Sequence, residues 1–252
     1  MAVKKLAVHI EDLTFHYSEN SGVYFNDFNL RIEEGDRFGL FGPNGAGKST
    51  LMNLMTGILR VQQGYIKLFD LDIQEHSRKS ITSLFGFVPQ DFSFYQELSP
   101  VENLQFYGAW YGLSKKETNS VIDELIDILG LGHVRHKPVA LFSGGMKRRI
   151  NLAIAVMHKP KLLFLDEPTV GVDVQTRHAI ITFLLEMNKR GTTLVYTSHQ
   201  LSEAENLCEN VALLDQGKII AQNQMHLLFQ EYKEDSLEGL FLQLTGKAYR
   251  DM

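Results

Sequence analysis

"GPNGAGKST", residues 42–50, decides the fold. An apolar run of strand character, DRFGLF, leads into it, and LMNLMTGIL follows with the spacing of an amphipathic helix. The nine residues fit G-x-x-x-x-G-K-[ST], and a strand before with a helix after is the context that pattern requires. Glycines let the backbone curl until successive N–H groups face one anion, and the positive end of the following helix adds to them. Phosphate binding is therefore expected from Gly42, Pro43, Asn44, Gly45, Ala46, Gly47, Lys48, Ser49 and Thr50. Lys48 is placed to reach the β- and γ-phosphates of a nucleotide, and the Ser49 hydroxyl to hold Mg²⁺. A glycine turn that merely joins strand to helix explains Gly47, but not Lys48 and Ser49 together in this setting.

Downstream, KLLFLDEP (161–168) is an apolar strand that ends in two carboxylates. On such a strand Asp166 stands beside the phosphate loop and can bind Mg²⁺ through water. Glu167 stands where it can polarise an attacking water. The alternative, an acidic strand end in plain solvent, suits the run taken alone but not the run with the phosphate loop upstream.

Around these two segments, short β-like runs alternate with helix-like ones. LAVHIEDLTF and FNDFNLRI have the period of strands. GYIKLFD, LFGFVPQ, TTLVYTSH and NVALLDQGKIIA read as further strands, and KLLFLDE and TTLVYTSH are apolar enough to be buried on both faces. The expected class is α/β, with a parallel sheet in the core and an antiparallel portion near the N-terminus. From Phe92 helical periodicity takes over in SPVENLQFYGAWYGL and KKETNSVIDELIDILGL, where Ser114 with Glu117 makes a capping box. The expected organisation is one domain over 1–252: a core of 1–91 and 160–224, a helical insertion of 92–159, and a helical tail of 225–252.

Composition narrows the partners. The 252 residues carry a net charge of −5, which leaves no basic footprint for nucleic acid. Cys208 is the only cysteine, so neither a disulfide framework nor a cysteine-rich metal site is expected. No run reaches the length of a membrane span. Glu11 and Asp12 interrupt the first apolar stretch too early for a signal peptide. The expectation is a cytoplasmic chain that does not cross a membrane but can dock on one. His133 and His136 lack a third ligand nearby in sequence, which favours a solvated loop.

Taken together, the motifs resemble those of the ATP-binding subunits of ABC transporters, and the resemblance runs over essentially the whole chain. GPNGAGKST resembles the family's Walker A loop, LLFLDEPT its Walker B strand and FVPQD its Q-loop, with Gln90. FSGGM resembles the signature motif, VGVD the D-loop with Asp173, and YTSHQ the switch region with His199. The resemblance implies a P-loop NTPase core carrying an inserted helical subdomain, with ATP and Mg²⁺ as ligands. It implies that Lys48 binds phosphate, that Ser49, Gln90 and Asp166 surround Mg²⁺, and that Glu167 is the catalytic carboxylate. It implies that His199 contacts the γ-phosphate and that Tyr17 stacks on adenine. Tyr24 and Phe25 lie near Tyr17, and a core tyrosine is the other reading of that position. Phe92, Phe94, Tyr95, Phe106, Tyr107 and Trp110 either pack the helical subdomain or form a groove for a membrane partner.

In this family two such domains meet head to tail, so a second copy or a related chain is implied as partner. Ser143, Gly144, Gly145 and Met146 would then face the nucleotide of the other chain, and both glycines are assigned to that approach. Met146 stands where the commoner family pattern has glutamine. The variant signature and the tail SLEGLFLQLTGK resemble those of exporter subunits, and a long regulatory domain like that of some importers is not expected. Separate membrane-spanning permease subunits would receive the motion, which places the chain on the cytoplasmic face of the membrane. Two other readings are a soluble ABC-type ATPase in translation or DNA repair, and a nucleotide-gated module that does not turn over.

Overall fold

β1 (Leu6–Phe15) and β2 (Phe25–Glu33) alternate buried and exposed side chains, and pair antiparallel. In this computed structural model, which describes residues 5–18, 24–198 and 201–246, they open a four-stranded sheet. It is completed by β4 (Gln63–Leu68), paired antiparallel to β1, and β5 (Leu71–Asp72).

A second sheet has six strands: β3 (Arg37–Phe41), β6 (Phe85–Val88), β7 (Leu162–Asp166), β8 (Thr193–Thr197), β9 (Asn210–Asp215) and β10 (Lys218–Gln224). Its order is β10-β9-β3-β8-β7-β6, parallel throughout except for the β9–β10 pair. Every residue of β7 and β8 is buried, as their unbroken apolar sequence requires. Alternate residues serve opposite cores. Phe164 and Val195 join the cluster that holds the N-terminal sheet and α1 (Lys48–Met55), whereas Leu163, Leu165, Leu194 and Tyr196 join the cluster under the helices. Helix α1 is thus wedged between the two sheets, with Leu51, Met52, Leu54 and Met55 fully buried. That wedge fixes the phosphate loop at its N-terminus.

A short helix α2 (Arg78–Thr82) precedes β6. Between the adjacent parallel strands β6 and β7 the chain builds α3 (Pro100–Trp110), α4 (Lys115–Ile128) and α5 (Gly144–Val156). Both α3 and α4 begin with a complete capping box, Ser99 with Glu102 and Ser114 with Glu117. α6 (Val174–Lys189), α7 (Leu201–Leu207), α8 (Met225–Tyr232) and α9 (Leu237–Thr245) complete the fold. Among the described residues no helix is long and apolar enough to cross a membrane.

NVALLDQGKIIA forms two strands joined as a hairpin, which adds one antiparallel pair to the otherwise parallel main sheet. Gln216 and Gly217 turn the chain with φ of 46° and 73°. A Cβ on Gly217 would lie 1.9 Å from the carbonyl oxygen of Tyr24, and the Gly217 N–H donates to Ala46 O at 3.0 Å. The turn therefore braces the phosphate loop from below. Gly217→Ala combines a left-handed backbone with a backbone clash and is expected to cost about 3 kcal/mol. The check is a lower denaturation midpoint in urea at unchanged slope; an unchanged midpoint refutes the bracing role.

Candidate functional site

Gly45 and Gly47 carry φ of 79° and 117°, so the loop coils through left-handed backbone that other residues resist. Gly47 is the N-cap of α1, and the first helical residue is Lys48. The Lys48 ammonium is buried and donates to Gly42 O at 2.7 Å and Pro43 O at 3.1 Å, which holds it over the loop. A cavity of about 420 Å³ opens there, lined by Tyr24, Asn44, Gly45, Gly47, Lys48, Ser49, Thr50, Gln90, Glu167 and Val170.

Residues far apart in sequence meet in this cavity. Gln90 follows the end of β6, and its Nε2 donates to Glu167 Oε2 at 3.2 Å. Glu167 follows β7 with φ of 50°, an uncommon left-handed conformation for a residue of its size. Its N–H is held by Thr197 of β8, through the carbonyl at 3.2 Å and Oγ1 at 3.1 Å. The same Thr197 hydroxyl donates to Asp166 Oδ1 at 2.6 Å. The neighbouring strand thus orients both carboxylates. A serine hydroxyl, a carboxamide and two carboxylates form a hard oxygen donor set, which fits Mg²⁺ shared with phosphate oxygens.

Tyr17 is 57 % exposed, which overturns the core-tyrosine reading. Its hydroxyl lies 2.7 Å from Thr50 Oγ1, and its ring meets Tyr24 edge-on at 5.7 Å. Tyr24 itself lines the cavity and donates to Gly45 O at 2.7 Å, and burial raises the pKa of its hydroxyl. The aromatic residue that lines the cavity is thus Tyr24, with Tyr17 beside it outside the lining, and Tyr24 was visible in sequence only as a neighbour. Phe25 is fully buried beneath them. His199 lies outside the described residues. His133 and His136 are exposed, and among the described residues no group of three candidate ligands gathers around any point.

The signature segment does not line this cavity. Ser143 caps α5 by accepting from Met146 N at 3.3 Å, and Ser143 and Gly144 are exposed. A Cβ on Gly144 would have only Gly171 O near it, at 3.6 Å. Gly145 is different. A Cβ there would press on Thr176 of α6, 3.0 Å from Oγ1 and 3.1 Å from Cγ2, so this glycine serves packing within its own chain. Asp173 is the N-cap of α6, accepting from Thr176 N and Oγ1 at 2.8 Å each, and these bonds lower its pKa. Arg149 of α5 donates to the same Thr176 hydroxyl at 3.0 Å. Signature helix and D-loop are therefore locked together as one exposed surface.

The ABC transporter family model matches residues 25–170. The linearmycin resistance ATP-binding protein LnrL of Bacillus subtilis is 42 % identical over 190 residues, 75 % of this chain and 61 % of that protein. The Nod factor export ATP-binding protein I of Bradyrhizobium diazoefficiens is 36 % identical over 210 residues, 83 % of this chain and 68 % of that protein. The chain thus spans about two thirds of the length of these relatives. A solved ATP-binding subunit of an ABC transporter superposes with a TM-score of 0.87 at 26 % identity, covering 95 % of this chain and 99 % of that one. A phosphate loop at the start of a wedged helix, a carboxylate pair at the end of β7, with β8 between it and the strand that feeds the loop, and these matches lead to one conclusion: the chain belongs to the ABC transporter family, as an ATP-binding domain of it.

Proposed function

We propose that the chain hydrolyses ATP to drive export through separate membrane subunits, and that two such domains close head to tail around the nucleotide. The observation that carries the proposal is the meeting of Lys48, Ser49, Gln90 and Glu167 around one cavity, with Gln90 bonded to Glu167 at 3.2 Å. The loop amides and Lys48 bind the β- and γ-phosphates, and Tyr17 with Tyr24 offers ring surface to the base. Ser49, Asp166 and Gln90 would hold Mg²⁺, which when bound neutralises charge on the phosphate oxygens. Glu167 accepts a proton from the attacking water, and Gln90 fixes the carboxylate that does so. His199 is assigned to the γ-phosphate on the strength of the family resemblance. Ser143 and Gly144 meet the phosphate of the partner chain, beside the D-loop of Asp173.

An aromatic patch supports docking on a membrane subunit. Phe92, Tyr95, Phe106 and Trp110 are exposed on α3 and the segment after Gln90, and Phe106 meets Tyr95 edge-on at 4.9 Å. Exposed aromatic clusters of this kind mark interaction sites. The export direction is supported by the relatives' printed roles in resistance and export, and docking on membrane subunits would put the chain at the cytoplasmic face of the membrane. Phosphate release from ATP is expected to fall by about 10² or more when Mg²⁺ is chelated. No release with Mg²⁺, alone or with the membrane subunits, refutes the hydrolytic reading.

A further inference from the structure

Arg148 is only 4 % exposed, yet no carboxylate pairs with it among the described residues. Burying a guanidinium is unfavourable unless its hydrogen bonds and local field compensate. Its Nη1 donates to two consecutive backbone carbonyls, Pro89 O at 3.1 Å and Gln90 O at 3.0 Å. Its Nε is buried without a hydrogen bond. The guanidinium also lies over the ring of Phe92, 5.1 Å from the centroid. Three residues on along α5, Asn151 grips the same segment: its Oδ1 accepts from Ser93 N at 3.2 Å and Ser93 Oγ at 3.0 Å. One face of the signature helix therefore holds residues 89–93, and among the described residues Arg148 is the charged side chain of α5 that donates to that segment.

We propose that Arg148 is a positioning residue that fixes the backbone of Gln90, so that its carboxamide meets Glu167 and the signature helix moves with the catalytic carboxylate. The chain of contact runs from the exposed start of α5 through Arg148 to Gln90 O, and from the Gln90 side chain to Glu167 Oε2 at 3.2 Å. It also runs outward, because Phe92 under the guanidinium is 40 % exposed and belongs to the aromatic patch. Burial lowers the pKa of the guanidinium, while negative charge on Glu167, Asp91 and Asp166 acts the other way. The cation thus sits in the field of the carboxylates that the site uses. A neutral side chain gripping the segment would not do this.

The inference rests on the hydrolytic reading, and its test separates the two. In the full chain, Arg148→Met is expected to lower kcat by about 10-fold or more with KM for ATP within about threefold, the pattern of a misplaced catalytic group. Arg148→Lys, which keeps the charge and can donate to the carbonyls but loses the planar group over Phe92, should retain a kcat at least about threefold above that of Arg148→Met. Amide hydrogen exchange over residues 90–93 needs no hydrolysis and should be about fivefold faster in Arg148→Met. If Arg148→Met fails to fold, Arg148→Gln is judged by the same criteria. Parental kcat in the neutral variants overturns the proposal, as does unchanged exchange at 90–93, or loss carried mainly by KM. A parent that releases no phosphate defeats the hydrolytic reading instead, and the exchange measurement then decides Arg148 alone.

Discussion

Glu167→Gln is expected to abolish turnover while leaving ATP bound. The substitution keeps size and hydrogen-bonding capacity, so the contact with Gln90 at 3.2 Å and the backbone bonds to Thr197 can persist. What is lost is the capacity to take a proton. Removing a positioned general base costs about 10²–10⁴ in rate. The backbone makes this position hard to replace by a neighbour. Glu167 is held at φ of 50° by two bonds from its N–H to Thr197, and a left-handed non-glycine residue persists only where its surroundings impose it. Asp166 cannot substitute, since its Oδ1 is committed to the Thr197 hydroxyl at 2.6 Å. With the γ-phosphate intact, the contacts proposed to join two chains are never released, and an ATP-dependent dimer should accumulate. The measurements are phosphate release and light scattering with Mg²⁺ and ATP; hydrolysis at the parent rate removes Glu167 from the role of base.

How much of this was legible in the sequence follows from the range of the interactions. The phosphate loop is one continuous stretch from Gly42 to Thr50 and the capping box at Ser114 closes on Glu117, so the chemistry of both is local. The all-buried β7 and β8 were legible as unbroken apolar runs. The β9–β10 hairpin was missed because apolar residues flank a turn of only Gln216 and Gly217, although the glycine was its signal. Asp173 was assigned a loop role by resemblance, and its second role as cap of α6 went unseen. Arg148 carried no signal at all. In FSGGMKRR it looks like one cation of a solvated basic run, and only the fold brings it under Pro89 and Gln90. Tyr24 likewise depends on how the N-terminal sheet leans over the loop.

The second large effect concerns the signature segment. Ser143→Arg is expected to abolish ATP-driven pairing, most clearly in a Glu167→Gln background where the dimer should otherwise persist. The start of α5 presents Ser143 and Gly144 to solvent with the bare amides of a helix N-terminus behind them, a geometry suited to an anion. Ser143 also caps its own helix through Met146 N, so some of any loss belongs to folding. Ser143→Ala measures that share: removing a cap costs about 1 kcal/mol, visible as reduced stability of the monomer. Arginine adds bulk at the point of approach, and pairing should fail even where the monomer's melting is no worse than that of the alanine variant. Met146→Gln should change pairing by less than about threefold, because a half-buried side chain packed on the helical core is poorly placed to reach across an interface. Gly145→Ala is a separate test, since its added methyl meets Thr176 within the chain rather than the partner. If pairing survives Ser143→Arg but is altered by Met146→Gln, the side of the loop that faces the second nucleotide is the opposite of the one proposed.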